Sequence, residues 1–188
     1  ADFVGAPHAA AVSNCTVGLH LALLAVGVRP GDVVITVSSS FIATANSVRA
    51  CGAEPVFIDI DPLTLNMDPA LLTKSLEADY TDRGGELFYR QIDRLLRAPT
   101  PLRSIDEGKR GRLAAILAVH QVGIPADMEK IMAIARRFHL PVVEDAACAV
   151  GSLIKGPDGK MQPIGKPLGD VAVCSFHPRK LLTTGDGG

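Results

Sequence analysis

Seven consecutive apolar residues, Leu113–Val119, leave no face for water. A strand of this kind fits only where both of its faces are covered, as in the middle of a parallel sheet layered by helices. The rest of the chain supplies such layers. Residues 9–12, 33–37, 55–60, 141–143 and 171–176 are further strand candidates. Residues 16–26 are dense in Leu and Ala and read as a helix, with Gly27 as its stop and Pro30-Gly31-Asp32 as a turn. Residues 41–51 are helical up to Gly52, and Asp61-Pro62 is a turn. Asp68-Pro69 opens another helix, with Asp at the cap and Pro in the first turn. Residues 126–138 form an amphipathic helix, and the Gly-, Pro- and Lys-rich residues 152–168 read as a hairpin or loop. Strands alternating with helices predict an α/β fold of three layers, α/β/α, around a mostly parallel sheet.

Residues 77–112 break this rhythm, carrying many charges and no clean strand pattern. They are expected to form a surface insertion, with a short helix over residues 87–96. A lid or partner-contact element is the functional alternative.

A length of 188 residues suffices for one sizeable core. A net charge of −1 provides no field for nucleic acid or an anionic membrane, so neither is expected as a partner. The longest apolar run is far too short to span a bilayer. Cys15, Cys51, Cys148 and Cys174 form no CxxC pair, which fits a reduced, cytoplasmic setting. No basic region followed by an apolar stretch marks a signal peptide. The chain begins without Met and stops at Gly187-Gly188, and it is expected to be a piece of a longer one.

Ligands of open α/β sheets bind outside the carboxyl ends of the strands. The segments placed there are residues 13–16, 38–41, 120–121, 145–148 and 175–180. None carries the GxGxxG of a dinucleotide site or the P-loop of a triphosphate site. Lys180 stands just beyond the apolar run 171–176, with Ser175 before it and glycines after it. Partial desolvation there favours a neutral, nucleophilic amine that can anchor a cofactor covalently. A lone lysine after a strand would more simply be a surface residue, but three other segments point with it to pyridoxal phosphate.

Ser13-Asn14-Cys15-Thr16 precedes a helix, where free amides and the helix dipole can bind a phosphate, or where Ser and Thr only cap. Asp145 ends a buried strand, so its carboxylate must be paired. A pyridinium nitrogen would pair it and make the ring an electron sink. A helix cap or a salt bridge is the alternative. Strand alternation turns Glu144 to the opposite face. Phe41 opens a helix and could stack on a cofactor ring or fill the core. His120 lies at the ligand edge and is a candidate for the cofactor's surroundings. The other histidines read as structural or surface groups, and no set of them has metal-ligand spacing.

The ordered motifs together resemble the DegT-type nucleotide-sugar aminotransferases, a branch of the fold-type I pyridoxal phosphate enzymes. They are Ser13-Asn14-Cys15-Thr16, Pro30-Gly31-Asp32-Val33-Val34, Ser40-Phe41-Ile42-Ala43-Thr44-Ala45-Asn46 and Cys51-Gly52-Ala53-Glu54-Pro55-Val56. Val119-His120, Pro125-Ala126-Asp127-Met128, Glu144-Asp145-Ala146-Ala147-Cys148 and Ser175-Phe176-His177-Pro178-Arg179-Lys180 complete the set. The resemblance covers nearly the whole chain outside the insertion. It implies that residues 1–188 are the large, cofactor-binding domain of a fold-type I transferase, with a small C-terminal domain lying elsewhere. Lys180 then corresponds to the Schiff-base lysine and Asp145 to the partner of the pyridine nitrogen. Cys15, Thr16 and Ser175 correspond to phosphate contacts, and Phe41 to the stacking residue. Many relatives have Gln or His at the position of Cys148, near the cofactor's phenolic oxygen, and a thiol is a poorer donor.

The implied activity is transfer of an amino group from an amino acid, glutamate by resemblance, to a nucleotide-linked keto sugar, for sugar or polysaccharide biosynthesis. The implied assembly is a homodimer with composite sites. Relatives with histidine in place of the lysine dehydrate instead, and Lys180 argues against that. Other fold-type I chemistry on an amino acid, of aldolase or desulfurase type, is an alternative, as is a non-catalytic scaffold or regulator that keeps the fold.

Overall fold

The computed structural model describes residues 1–188. Helix α1 (Cys15–Ala25) leads into β1 (Val33–Val37), α2 (Ile42–Ala50) and β2 (Glu54–Ile58). Helix α3 (Pro69–Ala78) is followed by a hairpin of β3 (Tyr80–Arg83) and β4 (Glu86–Tyr89) and by the single turn α4 (Ile92–Leu95). Next come β5 (Leu113–Val119), α5 (Met128–Arg137) and β6 (Val142–Asp145). A second hairpin, β7 (Leu153–Lys155) and β8 (Met161–Pro163), precedes β9 (Val171–Val173).

The main sheet has the order β2-β1-β5-β6-β9, and every neighbouring pair is parallel. The apolar run at β5 takes the centre, buried along its whole length. On one face α1 and α2 bury Leu19, Leu23 and Val48 against Val34, Leu117 and Val143. On the other, α3 and α5 bury Leu72, Leu76 and Ile131 against Ile35, Ile116 and Val142. The three-layer α/β/α arrangement is thus the one the alternation predicts.

Three helices start at side-chain caps. Asn14 Oδ1 accepts the Val17 N–H at 3.0 Å, Asp68 Oδ1 that of Ala70 at 2.7 Å, and Asp127 Oδ1 that of Lys130 at 3.2 Å. Helix α2 has no such cap, because Phe41 occupies the position and has no acceptor.

Four expectations change. Residues 9–12 form no strand, since a strand needs a partner along its length. Only Val12 has one, exchanging two hydrogen bonds with Gly188 at 3.0 and 3.1 Å. Strand β9 stops at Val173 rather than 176, because its neighbour β6 ends opposite it, at Asp145. The helix expected over residues 87–96 shrinks to α4, and Leu87 to Tyr89 join β4. Gly84 and Gly85, at φ of 68° and 89°, make the tight turn that folds β4 back on β3. Tyr80 and Tyr89 then stand opposite each other with ring centroids 5.3 Å apart. Part of residues 77–112 is core rather than solvated surface, for Tyr80 and Leu102 are buried and Leu87, Tyr89 and Leu95 pack on the main cluster.

Candidate active site

The strand order reverses between β1 and β5, since β2 extends the sheet to one side and β5, β6 and β9 to the other. At the carboxyl ends of such strands the diverging loops leave a crevice. Here it is a cavity of about 450 Å³, within the range of small-molecule sites. All eight residues singled out in the sequence line it: Cys15, Thr16, Phe41, His120, Asp145, Cys148, Ser175 and Lys180. The Gln121 side-chain amide donates to Ser39 O, tying the β5 and β1 loops together at the rim.

Lys180 is half-buried and follows a turn in which its N–H donates to His177 O at 2.9 Å. The turn is braced by the Arg179 N–H on His177 Nδ1 (3.2 Å) and the His177 N–H on Ser175 Oγ (3.4 Å). Lys180 Nζ donates to Cys148 Sγ at 3.0 Å. Ser175 is buried, and its own hydroxyl hydrogen is left without an acceptor in the chain.

Asp145 is 5% exposed. Its Oδ2 accepts the Thr44 hydroxyl at 2.8 Å and its Oδ1 the Ala147 N–H at 3.1 Å. Burial pushes this carboxyl above the ordinary aspartate range, while the Thr44 and Ala147 donors and the positive charge of Lys180 pull it back. Glu144 faces the other way, as alternation requires. Its Oε1 accepts the N–H groups of Leu168 and Gly169, each at 2.6 Å.

His120 takes part in that second network. A backbone N–H can only donate, so the Ala126 N–H at 3.1 Å makes His120 Nδ1 the acceptor. The ring hydrogen therefore sits on Nε2 and is donated to Glu144 Oε2 at 3.0 Å. Both ring nitrogens are thus engaged within the protein, and His120 meets the cavity as a wall.

At the start of α1 the amides of Cys15 and Thr16 have no partner in the chain, since the Asn14 cap serves Val17. They and the Thr16 hydroxyl form an anion-binding end. Burial pushes the Cys15 thiol up out of the range where it ionises, so its amide rather than its sulfur is the useful group. Phe41 is 78% exposed, which excludes core filling and leaves its ring at the cavity mouth. Val122, on the same wall, holds φ at 51°, a strained conformation for a β-branched residue.

Thr44 and Ser40 are the residues that the sequence reading missed. Thr44 follows Phe41 at helical spacing and shares the inward face of α2 with Ser47 and Val48. A polar residue on a buried helix face was the available signal. A second cavity, of about 560 Å³, lies at the N-terminal ends of α3 and α5. Its carboxylates Asp68 and Asp127 are caps already bonded to helix amides, so no unpartnered group converges there.

The donors and acceptors suit pyridoxal phosphate: a free amine, a buried carboxylate, unpartnered amides with hydroxyls for a phosphate, and an exposed ring for stacking. Residues 1–83 and 91–188 match the DegT/DnrJ/EryC1/StrS aminotransferase family. The gap falls on the β3–β4 turn and β4. GDP-perosamine synthase of Caulobacter vibrioides is 41% identical over 188 residues, which are all of this chain and 40% of that protein. UDP-2-acetamido-2-deoxy-3-oxo-D-glucuronate aminotransferase of Pseudomonas aeruginosa is 37% identical over all of this chain and 42% of its own length. The crystal structure of S. venezuelae DesV in complex with a ketimine intermediate superposes with a TM-score of 0.74 at 32% identity, covering 100% of this chain and 40% of DesV. The chain therefore spans about 40% of the length of the relatives it matches.

Proposed function

The chain belongs to the DegT/DnrJ/EryC1/StrS aminotransferase family, and from that premise we propose that its cavity is the pyridoxal phosphate site of a sugar aminotransferase. The observation that carries this reading is the convergence of Lys180 and Asp145 on one cavity whose remaining wall offers the unpartnered amides of Cys15 and Thr16.

Bound pyridoxal phosphate supplies an aldehyde carbon and a ring that draws electrons from the substrate's α-carbon. The chain's own residues do the rest. Cys15 N–H, Thr16 and Ser175 hold the phosphate. Asp145 holds the proton on the pyridine nitrogen, with its two oxygens fixed by Thr44 and Ala147. Phe41 covers one ring face and keeps water from it. Lys180 would hold the cofactor through its amine and, when that amine is free, would move the proton at the amino donor's α-carbon. Cys148, 3.0 Å from Lys180 Nζ, would hold the lysine amine when it is free. Its thiol is a weak donor toward the phenolic oxygen.

The amino acceptor is a nucleotide-linked keto sugar, on the strength of the GDP-linked and UDP-linked sugars in the names of the two relatives. The donor is glutamate, by the same family likeness. The working assembly is a homodimer in the cytoplasm. Exposed Phe41, Ile42, Val122, Leu181 and Leu182, at and beside the cavity mouth, give a second copy an apolar surface.

The test is borohydride reduction of the chain loaded with pyridoxal phosphate, followed by peptide mass spectrometry. The adduct is expected on Lys180 and absent from Lys180→Ala. Arg at this position also fails, because its guanidinium does not deprotonate near neutrality. An adduct on Lys155, Lys160 or Lys166 overturns the assignment.

A further inference from the structure

Behind Asp145 the Thr44 hydroxyl is backed by a second one, Ser40, that the proposed chemistry has not used. Thr44 Oγ1 lies 2.8 Å from Asp145 Oδ2, and Ser40 Oγ lies 2.7 Å from Thr44 Oγ1. The direction of these bonds follows from counting hydrogens. An ionised carboxylate only accepts, so Thr44 gives its single hydroxyl hydrogen to Asp145. The contact between Thr44 and Ser40 must then be Ser40 donating to Thr44. Ser40 is half-buried on the cavity wall and Thr44 is buried beneath it, so the chain of donors runs inward from the cavity to the carboxylate. Each donor polarises the next.

We propose that Ser40 and Thr44 are positioning residues, a directional hydroxyl relay that orients the Asp145 carboxylate and keeps it ionised for the pyridine nitrogen. The last clause rests on the cofactor reading above, whereas the relay itself does not. Thr44 is well placed for this role because Phe41 leaves α2 without a side-chain cap, and its hydroxyl points at Asp145 rather than back along the helix. The Ala147 N–H holds the other oxygen, so the carboxylate is fixed at both ends. The groups facing Asp145 from neighbouring elements are Lys180 after β9, His120 at the end of β5, Cys15 on α1, and Cys174 just past β9. Of these Lys180 and, to a lesser degree, His120 favour the ionised carboxylate, and Lys180 is the group that engages the cofactor. With Lys180 so engaged, the relay and the Ala147 N–H are the hydrogen-bond donors that favour the ionised form against burial.

The experiment is a carbon-13 titration of the Asp145 side-chain carboxyl in the chain without cofactor, for wild type, Ser40→Ala, Thr44→Val and the double variant. Removing a donor to the ionised form moves the midpoint up. Thr44→Val is expected to raise it by about one pH unit or more, and Ser40→Ala by less in the same direction. Ser40 reaches Asp145 only through Thr44, so the double variant is expected to match Thr44→Val. An unmoved midpoint in Thr44→Val, or a double variant that shifts by the sum of the two, overturns the relay. If Thr44→Val does not fold, Ser40→Ala decides alone, a rise supporting the relay and an unmoved midpoint refuting it. Failure of the borohydride adduct on Lys180 would remove the cofactor reading while leaving this titration fully informative.

Discussion

Asp145 shows what burying a carboxyl costs the folded chain. Burial raises its folded carboxyl above the ordinary aspartate value of about 4. A carboxyl raised on folding stabilises the fold below the unfolded value and loses that contribution as pH climbs through the raised one. Asp145→Asn removes the ionisation. The new amide can donate to Thr44 and its oxygen can accept from Ala147 N–H. Without cofactor, Asp145→Asn is therefore expected to melt higher than wild type near neutrality, by roughly 2–4 °C for about 1 kcal/mol. The gap should close on acidification, and differential scanning fluorimetry from pH 4 to 8 reads it. A gap that widens toward acid refutes the sign. Val122 is a second stress point, with a β-branched residue at φ 51° and largely exposed. Val122→Asn should stabilise by about 1 kcal/mol, read as a higher urea midpoint at constant slope, because Asn tolerates that conformation and little apolar burial is lost. At this scale the grouping of the singled-out residues around one cavity was legible because each lies at or after the end of a strand, or strand candidate, of the alternating pattern. Thr44 and Ser40 were not, since which side chain reaches a given carboxylate oxygen depends on how α2 seats on the sheet.

The elements with a strong internal signal came out near their expected bounds. β5 is continuous hydrocarbon, and the Asp68-Pro69 and Asp127 starts carry their own caps. The misplaced elements were those whose limits are set by a neighbour. β9 is only as long as the part of β6 beside it. The β3–β4 hairpin is made by two glycines and a tyrosine pair that alternation alone does not reveal. Gly169 belongs with these. A Cβ there would lie 2.6 Å from Val142 O, and its N–H must reach Glu144 Oε1 at 2.6 Å. Gly169→Ala should cost about 1–3 kcal/mol, the price of overpacking a rigid contact. Chemical denaturation measures it, and an unchanged midpoint would show that the loop yields freely.

For the whole molecule, the sheet brings groups far apart in sequence to one crevice, and that convergence followed from the topology rule once the strands were recognised. Association between copies is beyond any single-chain pattern. The apolar residues at the mouth predict that a charge placed there, Val122→Lys, weakens self-association without unfolding the chain. Light scattering across a concentration series, with circular dichroism as the control for folding, checks this. A mass independent of concentration and equal to that of one chain in the wild type would count against the dimer.

Strand β6 reads Val-Val-Glu-Asp, so its apolar pattern resists a one-residue slip only weakly. In one direction of slip Val142 replaces Val143, and Glu144 arrives where Asp145 belongs. What forbids this misassembly is polar. The half-buried Leu168 and Gly169 amides and the buried His120 ring would lose their common acceptor. Glu144 is thus expected to favour the native register during strand assembly. A chain lacking its carboxylate would fall more readily into off-register kinetic traps, and the defect would show in the yield of refolding before it showed in the finished fold.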